Sequence, residues 1–282
     1  MSEVVKVSGN RENPNKEMTL IQHLDELRRR LFRSIIAIII FAVVAFFFKD
    51  LIFDNIILSP RNSDFISNVM FCKLGHLVNV SSLCINTHPF QIINIQLAGQ
   101  FKAHLLVSFV IGLMLAFPFL IYQVWKFVRP ALNVKDIKNV NIILISVSTL
   151  FAIGVLFGYY LIIPLTINFL STYQVSTSVL NQISFSSYLS IITGISLATG
   201  LVFELPVLIF FLSKIGLVTP QLLKKYRKHA IVIFFILSGI ITPPDVFSQV
   251  LVAVPLYLLY EISIKISSKV FNNHLITYEE ED

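Results

Sequence analysis

Apolar segments of membrane-spanning length dominate this chain. Four helix-length segments are predominantly apolar, at residues 31–48, 105–124, 142–170 and 188–212. A transmembrane helix needs about 20 such residues to cross a hydrocarbon core about 30 Å thick. Hydrophobic residues make up 55% of the chain and charged residues 13%, which excludes a single soluble core, and the chain is too long for a single anchor. The sequence therefore predicts an all-α polytopic membrane protein.

Two further apolar segments, at residues 230–241 and 247–260, are shorter. As helices of about 12 and 14 residues they would rise roughly 18 and 21 Å, less than the thickness of the hydrocarbon core. The turn between them lies in the sequence TPPDVFSQ at residues 242–249. Such a pair either thins the bilayer locally or packs inside a larger bundle, and the sequence leaves both open. The full prediction is six transmembrane helices, of which the last two are short.

The distribution of Lys and Arg predicts the orientation, because short loops rich in positive charge stay in the cytoplasm. Basic residues cluster before the first span, after the second and after the fourth, whereas residues 173–187 and 243–249 contain none. Both termini are therefore predicted to be cytoplasmic. This topology and contact with anionic lipid explain the formal charge of +6, so nucleic-acid binding is not predicted.

The predicted organisation has one folded unit between two tails. A polar N-terminal tail covers residues 1–18, the six-helix membrane domain covers residues 19–267, and a cytoplasmic tail covers residues 268–282. The membrane domain includes a long outer loop at residues 50–100. The first segment of the membrane domain, residues 19–33, carries leucines on one face and is predicted to form a helix in the membrane interface.

Cys72 and Cys84 are the two cysteines of the chain, and both fall in the outer loop. The positive-inside orientation places this loop outside the cytoplasm, where thiols can be oxidised. We therefore predict a disulfide between them. The alternative is a pair of unpaired, buried thiols.

Four separate motifs occur in a fixed order along the chain. They read HLDELRRR at residues 23–30, FPFLIYQVWKFVRPAL at residues 117–132, FELP at residues 203–206 and TPPDVFSQ at residues 242–249. In sequence and in order they resemble the TatC family, the receptor subunits of twin-arginine protein translocases. The resemblance extends from about residue 19 to about residue 267.

This resemblance implies a function. A TatC-like chain is the receptor and core subunit of a translocase that binds signal peptides bearing paired arginines. It assembles with single-span TatA- and TatB-type proteins to export folded proteins, using the proton-motive force. The resemblance also implies a multi-pass protein of the cell inner (plasma) membrane that works in an oligomeric complex.

Two carboxylates are the predicted ligands of the paired arginines. A guanidinium pairs with a carboxylate in a bidentate geometry that Lys cannot reproduce. In the resembling family, acidic residues at the positions of Glu26 and Asp136 form the signal-binding pair, although Glu is usual at the second position. Without the resemblance, Glu26 would pair with Arg29 or Arg30 on its own helix, and Asp136 would be a solvated loop residue.

Three neighbouring side chains complete the predicted signal-peptide site. Arg28 either positions Glu26 or contacts a lipid phosphate. Leu24 and Phe127 offer apolar contact to the hydrophobic region of a signal peptide. The alternative for both apolar residues is ordinary packing at a helix edge.

Glu204 lies within an apolar segment, where an ionised carboxylate costs about 2.5 to 3.5 kcal/mol on insertion scales. The resemblance implies that Glu204 and Gln249 form a polar site for the membrane helix of a partner. The alternative is an internal hydrogen bond that orients the fourth and sixth helices. Asp245 follows two prolines and is predicted to cap the last helix, a role compatible with partner assembly.

The sequence contains no GxxxxGK[ST] loop, no HExxH and no clustered set of Cys and His ligands. We therefore predict that the chain is not an enzyme and holds no cofactor or metal. Two rival functions remain at this stage. One is a secondary transporter with Glu204 in a midplane solute site, and the other is a membrane scaffold for which Glu26 and Asp136 are dispensable.

Overall fold

The structure is a computed structural model, and it describes residues 20–79, 84–86, 90–128, 140–176, 178, 181–242 and 246–279. Its helices are α1 (Leu20–Phe47), α2 (Ile66–Val78), α3 (Gly99–Val128), α4 (Val140–Phe157), α5 (Ile163–Thr172), α6 (Phe185–Phe203), α7 (Leu205–Lys214), α8 (Pro220–Lys225), α9 (Arg227–Ile241) and α10 (Val246–Glu279). Two short strands, β1 (Ile92–Ile93) and β2 (Ile183–Ser184), pair in parallel.

Five helical spans within the described residues are long and apolar enough to cross a membrane. They are His23–Phe47, Gly99–Phe127, Asn141–Thr172, Phe185–Lys214 and Ser248–Phe271. The prediction of an all-α, multi-pass membrane protein is therefore confirmed. Helix α9 has 15 residues and is short, as its apolar segment predicts.

Two helices differ from their predicted lengths. The last helix, α10, has 34 residues, so the prediction that it is short is wrong for the helix as a whole. Residues 261–279 contain neither Gly nor Pro, and the helix continues through them and past the boundary predicted at residue 267. The predicted interfacial helix is also not separate, because α1 runs without a break from Leu20 into the first span.

Small residues bring the spans together. Helix α1 lies along α3, where a Cβ added to Gly112 would come within 2.5 Å of the backbone nitrogen of Ala42. Helix α4 packs on α6, where a Cβ on Gly154 would lie 2.7 Å from the Cβ of Phe203. The Gly154 and Gly158 pair, spaced as GxxxG, therefore serves packing within the chain. Helix α10 packs against α7 and α9.

The bundle has two ends, which we call the Glu26 end and the Lys49 end after residues near the two ends of α1. A π-helical turn (Leu51–Ile57) and a 3-10 turn (Ser59–Arg61) follow α1 at the Lys49 end. The hydroxyl of Tyr188 on α6 donates to the carbonyl of Ile57 at 2.8 Å. Together with α2 and the two strands, these turns form a cap over the Lys49 end.

A buried asparagine network fixes this cap to the third span. The Asn86 side chain donates to the side-chain oxygen of Asn68 at 3.3 Å and to the carbonyl of Pro164 at 3.1 Å. The backbone N–H of Asn86 donates to Asn168 at 3.1 Å. Because Asn68 and Asn86 are buried, these hydrogen bonds offset the cost of desolvating their side chains.

Candidate functional site

The Glu26 end joins the start of α1 to the end of α3. On α1, the Nε–H of Arg30 donates to Oε1 of Glu26 at 3.1 Å, and Nη2 of Arg30 pairs with the same oxygen. Arg30 also contacts α3, where its Nη1 donates to the backbone carbonyl of Gln123 at 3.4 Å. One arginine thus orients the carboxylate and ties the two helices together.

Only one of the two carboxylate oxygens of Glu26 is hydrogen-bonded within the described residues. Its Oε2 atom is buried and has no hydrogen-bond partner among the described residues. The side chains of Arg30 and Glu26 are 15% and 22% exposed, so water screens this pair less than a surface pair. The arrangement is a fixed carboxylate with capacity for a second cationic donor.

An aromatic and apolar surface lies beside this carboxylate. Phe127 near the end of α3 stacks on the ring of His23 with a centroid distance of 4.3 Å. Leu24 is 63% exposed, so the observed packing does not bury it. Arg28 is also exposed and forms no ion pair with Glu26, which is held by Arg30.

Two polar side chains at the Glu26 end were missed by the sequence reasoning. Gln123 and Trp125 on α3 are 6% and 4% exposed. Gln123 Oε1 and Trp125 Nε1 have no hydrogen-bond partner within the described residues. The sequence signal was the occurrence of Gln123 and Trp125 within the predominantly apolar motif at residues 117–132.

Two of the sequence-predicted site residues, Asp136 and Asp245, lie outside the described residues. The structure therefore brings together Glu26, Leu24, Arg28 and Phe127 at one end of the α1–α3 pair. The pairing of Asp136 with Glu26 and the capping of α10 by Asp245 remain predictions.

Glu204 lies where the fourth span is interrupted. It separates α6 from α7, two residues before Pro206, because a proline removes a helical hydrogen bond. Both carboxylate oxygens of Glu204 are buried without a hydrogen-bond partner among the described residues. Gln249 instead donates its amide to the carbonyl of Phe235 on α9 at 2.9 Å. The two side chains therefore do not hydrogen-bond to each other, and the internal bond considered as an alternative is not formed.

Cys72 and Cys84 form a disulfide in the cap at the Lys49 end. His76 lies beside it, with Nε2 at 3.7 Å from the sulfur of Cys72 and 3.9 Å from that of Cys84. The three side chains are close enough to hold a metal ion, but bonded sulfurs are not thiolates and do not ligate metal in this state. The disulfide is therefore a covalent link between α2 and the segment that carries Asn86.

Comparison with known proteins decides the family. A family model described as Sec-independent protein translocase protein (TatC) matches residues 22–255. The chain belongs to the TatC family. It is 40% identical over 258 residues to the TatC protein of Blattabacterium sp. subsp. Periplaneta americana (strain BPLAN), covering 91% of this chain and 97% of that protein. It is 35% identical to TatC of Escherichia coli (strain K12), covering 87% and 86%.

Solved structures of TatC proteins are also similar to this chain. A crystal structure of the twin-arginine translocase receptor TatC superposes with a TM-score of 0.62 at 32% identity, covering 88% of this chain and 99% of that one. A second TatC structure, determined in the detergent DDM, gives a TM-score of 0.67 at 32% identity, covering 87% and 99%. The chain is thus a multi-pass membrane protein of a translocase receptor family, and it is not an enzyme. Membership of this family sets aside the solute-transporter function.

Proposed function

We propose that this chain is the receptor subunit of a twin-arginine translocase and binds signal peptides with paired arginines at its Glu26 end. The observation that carries the proposal is the half-satisfied carboxylate of Glu26. Its Oε1 atom is held by Arg30, and its buried Oε2 atom lacks a partner among the described residues. An incoming guanidinium supplies the missing donors.

The local charge pattern supports a guanidinium ligand. A donor supplied to the unpaired oxygen of a partly buried carboxylate offsets a desolvation penalty of about 1 to 3 kcal/mol. Arg suits this site better than Lys, because its planar fork can share a carboxylate that already accepts from Arg30. The site therefore discriminates by hydrogen-bond geometry as well as by charge.

Asp136 is proposed as the second carboxylate. It belongs to the segment between α3 and α4, and α3 reaches the Glu26 end just before that segment. Two carboxylates match two guanidinium groups one for one. The exposed side chain of Leu24 and the Phe127 ring stacked on His23 give the hydrophobic region of the peptide an apolar contact surface. Arg28, exposed beside them, is proposed to contact lipid phosphate.

A second site is proposed for partner subunits. The unpaired carboxyl of Glu204 can accept a polar residue from the membrane helix of a TatA- or TatB-type protein, and Gln249 and Asp245 are proposed to take part. Transport of folded proteins would then be driven by the proton-motive force in an oligomeric complex of the inner (plasma) membrane. In this arrangement α9 is a sixth, short crossing, so the Glu26 end and both termini face the cytoplasm, as the distribution of Lys and Arg predicts.

Crosslinking of a twin-arginine signal peptide to the detergent-solubilised full chain tests the proposal. We expect crosslinking to the wild type, and a loss of about tenfold or more with Glu26→Ala or Asp136→Ala, the effect of one charge-assisted hydrogen bond. Asp25→Asn is the matched control, because Asp25 is an exposed carboxylate next to Glu26. Undiminished crosslinking with both alanine variants would favour the scaffold function instead.

A further inference from the structure

A cavity of about 310 Å³ opens at the Lys49 end, away from both sites described above. It is lined by Lys49, Asp50, Phe53, Asp54, Gln100, Phe101, His104 and Phe185. These residues come from three places where the chain enters or leaves a span, which are the segment just after Phe47, the first turns after Gly99, and Phe185 itself. The cavity therefore lies at the level of the lipid headgroups.

Charges of both signs line this cavity, and none of them is neutralised within the described part of the chain. Lys49, Asp50 and Asp54 are exposed, and none of the three takes part in the ion pairs of Arg30 with Glu26 and of Arg227 with Glu261. Two carboxylates and one ammonium group are thus available to a ligand. Such a lining suits a ligand with a cationic and an anionic group close together.

His104 adds a fixed hydrogen-bond acceptor. Its Nε2 atom lies 3.0 Å from the carbonyl of Phe46, and because a carbonyl only accepts, this nitrogen carries the proton. In the neutral form of the ring, Nδ1 is then an acceptor. Stacking of the ring on Phe46, with centroids 3.9 Å apart, restricts its rotation.

Aromatic side chains form the remaining wall. The ring of Phe53 lies 5.7 Å from that of His104 and 6.2 Å from that of Phe185. Aromatic faces attract cations, and most strongly where water is partly excluded. Phe101 lies within the second span and is 61% exposed, so apolar surface continues from the cavity toward the hydrocarbon.

We propose that this cavity binds the headgroup of a zwitterionic phospholipid that carries a primary amine. The ammonium group donates to Asp50, Asp54 and His104, the phosphate pairs with Lys49, and the acyl chains run along Phe101. A primary amine has the N–H donors that these acceptors require, whereas a quaternary choline has none. An anionic glycerol headgroup offers no cation to the two carboxylates. The proposal does not depend on signal-peptide binding at the Glu26 end.

Native mass spectrometry of the full chain in mild detergent tests this assignment. Ethanolamine, choline and glycerol phospholipids with identical acyl chains are offered at equal concentration. We expect the ethanolamine lipid to be retained about tenfold over the other two, since its ammonium makes at least one additional charge-assisted hydrogen bond. The double variant Asp50→Asn with Asp54→Asn should lose this preference, and Asp64→Asn, an exposed aspartate of the same loop outside the cavity lining, should keep it.

Lys49→Gln gives a second, independent readout. It should weaken retention of all three phospholipids, because they share the phosphate, and it should leave the preference for the amine intact. Equal retention of the three lipids by the wild type would overturn the proposal. So would an unchanged preference in the double aspartate variant whose melting temperature matches that of the wild type.

Discussion

Arg30 donates to one oxygen of Glu26 and leaves the other oxygen buried without a hydrogen-bond partner among the described residues. Both residues lie on α1, four positions apart, and Arg30 also contacts the carbonyl of Gln123 on α3. The carboxylate is thereby held in place before any ligand arrives. A preorganised acceptor of this kind loses little conformational entropy when it binds a second guanidinium.

Removing Arg30 should destabilise the chain more than removing its neighbour. Arg30→Leu leaves a partly buried carboxylate without its partner and should lower the free energy of unfolding by about 1 to 2 kcal/mol. Arg29→Leu is the control, because exposed Arg29 makes only a 3.4 Å hydrogen bond to the carbonyl of Asp25. Denaturant titration in detergent measures both. Equal losses for the two variants would contradict the role given to Arg30.

Gly154 should tolerate no side chain. A Cβ there would lie 2.7 Å from the carbonyl oxygen of Thr199 and from the Cβ of Phe203, so Gly154→Ala should push α4 from α6 and cost about 1 to 3 kcal/mol. Gly194 on α6 has open space around the added Cβ. Gly194→Ala should therefore be neutral or slightly stabilising. Melting temperatures measure both effects. An equal decrease in melting temperature for the two variants would contradict the close α4–α6 contact at Gly154.

Breaking the disulfide should loosen the cap. Replacing Cys72 and Cys84 with Ser opens a loop with a sequence separation of 12 residues and should cost about 3 kcal/mol in the loop-entropy model. The cap segment that carries Asn86 should then become sensitive to protease at the Lys49 end. Reduction of the wild type should reproduce this effect and leave the double Ser variant unchanged. Resistance of the double variant to protease would mean that the asparagine network holds the cap alone.

Glu204 should be required for partner assembly although it destabilises the fold. Glu204→Leu removes two buried, unpartnered oxygens and should raise the free energy of unfolding by about 1 kcal/mol. Co-purification of a TatA- or TatB-type partner should nevertheless fall. Glu261→Gln is the contrasting variant, because Glu261 accepts from Arg227 and Tyr257, and it should lose stability while keeping the partner. A stable Glu204→Leu variant that retains its partner would remove Glu204 from the assembly site.

Much of the fold followed from the sequence, because four of the five spans coincide with long apolar segments. The lengths of α1 and α10 did not follow. Apolar character marks where a helix can enter lipid, whereas the helix itself can continue into more polar sequence, as in residues 261–279, which contain neither Gly nor Pro. Pro206 was the sequence signal for the interruption at Glu204, because proline has no backbone N–H to donate within a helix.

The site was predictable in its residue types but not in its contacts. Pairing of Glu26 with Arg30 was one of the two local pairs open on α1, and the geometry chose the partner four residues away. The contribution of Gln123 could not be foreseen, because its carbonyl meets Arg30 across 93 positions of sequence. Such a contact depends on how α1 packs against α3, which no local pattern encodes.

The most direct measurement of the receptor function is the coupling between the peptide arginines and Glu26. Binding of an Arg-Arg peptide and a Lys-Lys peptide is compared for the wild-type full chain, Glu26→Gln and the control Asp25→Asn. We predict that the wild type and Asp25→Asn prefer the Arg-Arg peptide by about tenfold, and that Glu26→Gln reduces this preference to about threefold or less. A preference that is unchanged in Glu26→Gln would contradict the assignment of Glu26 as the guanidinium ligand.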